Sequence, residues 1–161
     1  MDEKRITDIV TAVTKSILSE KDMSLAFAQK LIDGVMKKAR DMGVNAVVAI
    51  SDGGARPVAV ECMDNSYIAS FDIALNKSYT SVALKMPTKK LKTLAQPGGS
   101  LYGIQFTNNN KIVVFGGGVP LEYKGRIIGG LGVSGGSEEQ DTYLADYGYG
   151  LFKEEYECMM K

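Results

Sequence analysis

The sequence predicts a single α+β domain, an antiparallel sheet with helices packed on it. Three observations predict it. Apolar residues return at helical spacing in several stretches, β-branched runs come in pairs separated by short turn signals, and the strand–helix–strand alternation of a parallel sheet is absent. With 161 residues, 45% of them apolar and 24% charged, the chain suffices for one hydrophobic core and is ordinary in composition.

The elements follow in order. Residues 3–20 are predicted to form an amphipathic helix, because Ile6, Val10, Val13 and Ile17 fall at i, i+4, i+7 and i+11, and Ile9 and Leu18 widen the stripe. Glu20-Lys21-Asp22 is a polar break, so the expected organisation is a helix and linker over residues 1–22 and a domain over residues 23–161. Ser24 is the expected cap of a second helix, whose buried stripe is Ala28, Leu31, Ile32, Val35, Met36 and Ala39 and whose C′ residue is Gly43. Residues 45–51 and 56–61 flank Asp52-Gly53-Gly54 and predict a hairpin. Residues 66–84 are helical in pattern, Pro87 interrupts them, and Thr88 is positioned to cap a shorter helix ending at Leu94. Pro97-Gly98-Gly99 opens an irregular region, and Asn108-Asn109-Asn110 predicts a turn. Residues 112–115, 119–123 and 126–133 are three further strands, the last two joined through Lys124-Gly125. Ser137, with Gln140 at N3, caps the final helix, whose apolar side is Tyr143, Leu144, Tyr147, Leu151 and Phe152.

Composition excludes several classes of function. Lys+Arg and Asp+Glu are 19 each, so no net field draws the chain to nucleic acid or an acidic membrane. The cluster Lys85, Lys89, Lys90, Lys92 is short and reads as a solvated helix face. No apolar run is long enough to cross a bilayer, and no apolar h-region follows the charged start, which predicts a cytoplasmic protein. Cys62 and Cys158 belong to no CxxC, which argues against a disulfide framework or a zinc site. The chain has no histidine. That removes histidine-based triads, histidine metal sites and a histidine axial ligand for haem, and leaves Asp, Glu, Lys, Tyr or Cys as acids and bases.

Two glycine sets stand out. Consecutive glycines at Gly116, Gly117 and Gly118, and at Gly135 and Gly136 after Ser134, let a backbone approach an anion or a flat ligand closely; the second set also precedes a helix N-terminus. Neither set fits a dinucleotide or P-loop pattern, and tight turns with a close backbone crossing explain each set alone. Asp72, Asn76 and Thr80 recur every four residues and share a helix face, with Lys77 beside them. Lys77 is a candidate to hold a carboxylate or propionate; the alternative is a structural bond at a subunit contact. Tyr67, Tyr79, Tyr102, Met63 and Cys62 are the groups near these regions able to meet a metal or tetrapyrrole, though ordinary packing accounts for each singly. Glu138 and Glu139 suit a helix start electrostatically, whereas Asp141, one turn in, is a site candidate.

The segments Ile73-Ala74-Leu75-Asn76-Lys77-Ser78-Tyr79-Thr80, Gln96-Pro97-Gly98-Gly99, Phe115-Gly116-Gly117-Gly118-Val119-Pro120-Leu121 and Gly132-Val133-Ser134-Gly135-Gly136 closely resemble the GlcG/HbpS family, which includes the C-terminal domain of PduO and the DhaG-like proteins. The resemblance covers residues 24–150. It implies a profilin-like fold with an antiparallel five-stranded sheet and helices on both faces, homo-oligomers, and haem or tetrapyrrole binding. It does not extend to an adenosyltransferase domain. Residues 6–20 are similar to the encapsulation peptides of bacterial microcompartment cargo, short helices that dock an apolar face in a groove. Three readings stay open: a tetrapyrrole-type ligand-binding accessory protein, with or without a microcompartment shell as partner; an enzyme on a small hydroxy acid, aldehyde or tetrapyrrole, using Lys77 or Asp141; and a structural oligomer without a ligand. The first is preferred, since no nucleophile–base pair is visible.

Overall fold

A computed structural model describes residues 2, 4–11 and 22–160. Residues 4–11 are helical, and Ile6, Ile9 and Val10 are 45%, 52% and 56% exposed. The rest of the predicted first helix, with Val13, Ile17 and Leu18, and the Glu20-Lys21 break lie outside the described residues.

Helix α1 spans Leu25–Asp41, and Ser24 caps it by accepting from the Phe27 N–H. Strands β1 (Val47–Asp52) and β2 (Pro57–Cys62) form the first hairpin. Helix α2 spans Ser70–Ala83 and α3 spans Lys89–Leu94. Strands β3 (Gly118–Tyr123) and β4 (Arg126–Ser134) form the second hairpin, and α4 runs from Glu138 to Met159 behind the predicted Ser137–Gln140 capping box.

The sheet has four antiparallel strands in the order β2-β1-β4-β3, so the two hairpins meet along β1 and β4. The expected fifth strand, residues 112–115, is not a strand. The segment is held by α2 instead: Thr80 Oγ1 accepts from the Val113 N–H and donates to the Lys111 carbonyl, so these two backbone groups are bonded without a ladder. Helix α2 begins at Ser70 rather than at residue 66, because Asn65 sits at φ +61 in a turn after β2. Thr88 is not a side-chain cap for α3. Its hydroxyl accepts from the Gly118 N–H at 2.9 Å while its own N–H donates to the Gly118 carbonyl, pinning the start of β3 to the start of α3.

Strand alternation divides the core between two faces. Val48, Ile50, Leu131 and Val133 point to the face covered by α1 and α4, where Phe27, Leu31, Ile32, Val35, Leu144, Phe152 and Tyr156 are buried. Helix α4 continues one turn past the predicted apolar side so that Tyr156, fully buried, packs 4.9 Å from Tyr123 and 5.1 Å from Phe152 between ring centroids. Tyr143 and Tyr147, expected on that side, are partly exposed and lie under the Lys38 ammonium. On the other face, Val47 and Ala49 meet Ala74 of α2. Here the contact is unusually close, because β4 presents Gly130 and Gly132 to the helix backbone. Ser78 Oγ lies 2.7 Å from Ser51 Oγ and 2.9 Å from the Gly130 carbonyl, which satisfies these buried polar atoms. Among the described residues, no helix is long and apolar enough to cross a membrane.

Candidate functional site

A cleft of about 260 Å³ opens where the N-terminus of α2, the end of β4 and the N-terminus of α4 converge. Tyr67, Ile73 and Phe115 supply apolar walls; Ser70, Ser134, Glu138 and Asp141 supply the polar ones. A second, more polar hollow of about 460 Å³ shares Tyr67, Gly135 and Gly136 with it and adds Asn45, Asn65 and Gln140. Tyr67 is 72% exposed, so the cleft is rimmed by an aromatic side chain open to solvent, and the next residue, Ile68, is 98% exposed.

Beneath the cleft lies a buried ion pair. Lys77 is fully buried, and its Nζ donates to Asp141 Oδ2 and to the Val133 carbonyl, each at 2.8 Å. The Phe115 ring covers the ammonium, with its centroid 4.9 Å from Nζ. Asp141 Oδ1 accepts from the Gly136 N–H at 2.9 Å. Burial pushes the Lys77 pKa down, and the charge and hydrogen bond of Asp141 oppose that shift only in part. Burial likewise pushes Asp141 up against the pull of Lys77 and the Gly136 amide. A second pair stands at the rim: Glu138 accepts from Lys92 at 2.5 Å and from the Gly116 N–H at 3.0 Å. The Lys92 hydrogen bond, followed by the Gly116 amide, holds the Glu138 carboxyl below its ordinary range.

Of the site residues expected from sequence, the fold brings together Lys77, Asp141, Gly116, Gly117, Gly118, Ser134, Gly135 and Gly136. Asp72 is exposed, Asn76 is half-buried, and neither lines the cleft; Thr80 is spent on the 111–113 backbone. The glycine runs do bring backbone close, but to the protein's own groups. Gly117, at φ +111, is where a Cβ would stand 2.6 Å from Lys77 Nζ and 2.9 Å from Asp141 Cβ, so only glycine leaves room for the ion pair. The amides of Gly116, Gly118 and Gly136 already donate to Glu138, Thr88 and Asp141. The Gly136 amide just before the α4 cap therefore already holds an anion of the chain's own, the Asp141 carboxylate, and the Gln140 backbone amide of the first turn is taken by Ser137. Sequence reasoning missed Glu138 as a cleft residue and missed Phe115 as the cover over Lys77. Among the described residues, no cluster of three or more Cys, Asp or Glu is placed to hold a metal ion.

The model of a family described as haem degrading protein HbpS-like matches residues 23–149. A Citrobacter freundii protein described as an uncharacterized 15.0 kDa protein of the dhaT-dhaS intergenic region is 42% identical over 132 residues, 82% of this chain and 93% of that protein. The corrinoid adenosyltransferase PduO of the same organism is 35% identical over 139 residues, and this chain, matched over 85% of its length, spans only 42% of that protein. Among solved structures, Klebsiella pneumoniae ORFY superposes with a TM-score of 0.80 at 40% identity, covering 81% of this chain and 90% of that one. The PduOC:heme complex superposes with a TM-score of 0.78 at 35% identity, covering 81% and 94%. With the family's model matched across the folded domain, the chain belongs to the HbpS-like family.

Proposed function

We propose that this protein binds a haem-type tetrapyrrole at the cleft between α2, β4 and α4, as an accessory protein rather than as a free-standing enzyme. The observation that carries the reading is the likeness to PduOC, named in complex with haem, over most of both chains. The cleft suits the ring in one respect and constrains it in another. Tyr67 and Phe115 offer aromatic faces beside an apolar wall at Ile73, which a flat macrocycle can stack against. No histidine exists to ligate iron. Tyr67 is the cleft residue whose oxygen is not already held by an ion pair or by a neighbouring serine, and tyrosine is an established type of haem ligand. Bound haem would supply the redox chemistry, and the protein the orientation.

Hemin titration followed at the Soret band tests this. Saturable, stoichiometric binding is expected, weakened at least about ten-fold in Phe115→Ala and Tyr67→Ala, a loss in keeping with removal of stacking aromatic anchors. A band that never saturates, or that ignores both substitutions, would remove haem from this cleft.

The same reading places the protein in homo-oligomers, and residues 1–20 as a docking helix for a microcompartment shell or cargo. The exposure of Ile6, Ile9 and Val10 supports it, since an apolar stripe without cover suits a partner's groove. Deleting residues 1–20 should abolish co-purification with shells while leaving the hemin titration unchanged; retained co-purification would sink the docking role.

A further inference from the structure

We infer that the cleft discriminates by charge, admitting the part of a ligand that carries a hydrogen-bond donor, an alcohol, N–H or ammonium, and turning away a carboxylate. The inference rests on the cleft being the ligand site and deepens that reading, because it fixes which end of a ligand enters.

An ammonium has three N–H bonds. Those of Lys77 are met by Asp141 Oδ2, the Val133 carbonyl and the face of Phe115. Lys77 is fully buried and does not line the cleft, and the Phe115 ring stands over its Nζ. Lys92, the other lysine nearby, is turned to Glu138 at the rim. The amides that would otherwise greet an anion are given to side chains: Gly116 to Glu138 and Gly136 to Asp141. The charged groups lining the cleft are thus the two carboxylates, Glu138 and Asp141, each with its lysine set away from the ligand. A carboxylate oxygen has two lone pairs. The four oxygens are engaged by Lys77, Gly136, Lys92 and Gly116, and the Gly135 amide is a further donor to Asp141, so the acceptor capacity left over lies above all on Glu138. An entering carboxylate meets like charge and has only the neutral hydroxyls of Tyr67 and the Ser70–Ser134 pair among the lining side chains to donate to it, whereas an entering donor finds charged acceptors already fixed in place by their partners. For a tetrapyrrole, the consequence is that the ring edge enters and the propionates face solvent.

Three probes of equal chain length separate the possibilities: n-butylammonium, 1-butanol and butyrate, titrated at pH 7 and constant ionic strength against the full chain, with the amide signals of Phe115 and Gly136 followed by NMR. Butylammonium and butanol should shift these signals, and butyrate should need at least about ten-fold higher concentration for the same shift, as juxtaposed like charges require. Glu138→Gln, which keeps the shape and adds an N–H donor at the rim, should narrow that gap. Butyrate titrating as tightly as the other two overturns the charge selection while leaving the cleft as a binding site. Silence of both signals toward all three probes overturns the cleft itself, and the inference with it.

Discussion

Lys77→Met should lower the free energy of unfolding by about 3–5 kcal/mol, the loss expected when one partner of a buried ion pair is removed. Asp141 would keep its amide contact with Gly136 but lose its countercharge inside the fold, and the Val133 carbonyl would lose its buried donor. Against the roughly 5–15 kcal/mol that holds a typical domain together, this is a large fraction. Urea midpoints measure it. The double variant Lys77→Met/Asp141→Leu should recover most of the loss or exceed the parent, because apolar pairs of similar volume commonly replace buried ion pairs at no cost or with a gain. If the double variant is as unstable as the single one, the pair holds the fold in its own right. If it recovers and loses ligand, the pair serves the cleft.

The pH dependence of the parent reports on the same pair. Burial raises the Asp141 pKa in the fold above its ordinary 3.8, so between 3.8 and the folded value the native state holds the extra proton, and stability falls as pH rises. Burial lowers the Lys77 pKa below its ordinary 10.5, so between the folded value and 10.5 the unfolded state holds the extra proton, and stability rises with pH. Both shifts therefore subtract from stability at neutral pH. The advantage of the double apolar variant should be widest near neutrality and shrink toward both extremes; an advantage constant with pH would contradict the ion pair as its source.

What sequence alone could reveal tracks the range of the interactions. The hairpins, the Ser24 cap and the Ser137–Gln140 capping box rest on contacts a few residues apart, and periodicity or a cap residue signals them locally. Residues 112–115 misled because β-branched propensity is weak against a tertiary contact, here the Thr80 hydroxyl that takes the Val113 N–H and the Lys111 carbonyl. Lys77 and Asp141 could each be marked as a polar residue in need of a partner, but 64 positions separate them and nothing local announces that they are partners. Glu138 had a sufficient explanation in the helix dipole, which hid its second duty to the Gly116 amide. The glycine runs were legible as places of close approach; that the approaching group is a lysine of the same chain follows only from the packing.

Gly132→Ala should be comparably damaging, by about 3 kcal/mol or somewhat more, at the upper end of what overpacking a core costs. Gly132 pairs with Ala49 and Gly118 at the centre of the sheet, and a Cβ there would overlap the Ala74 carbonyl oxygen and stand 2.6 Å from the Ser78 nitrogen. Both obstacles are helix backbone, which has no rotamer to escape into, so α2 would have to lift off the sheet. Lifting α2 carries Lys77 away from Asp141 and Val133 and parts the Ser70–Ser134 contact of 3.0 Å at the cleft wall. The variant should therefore lose hemin affinity along with stability, although Gly132 touches no ligand. Gly150→Ala is the matched control: no heavy atom lies within 4 Å of its would-be Cβ, and alanine in an exposed helix interior should stabilise α4 by about 0.5–1 kcal/mol. Opposite signs at these two glycines would show that the distance between helix and sheet, set by a missing methyl, is what keeps the lysine seated under the cleft. A Gly132→Ala protein as stable as the parent would mean that α2 can shift without consequence, and the close contact would then need another explanation.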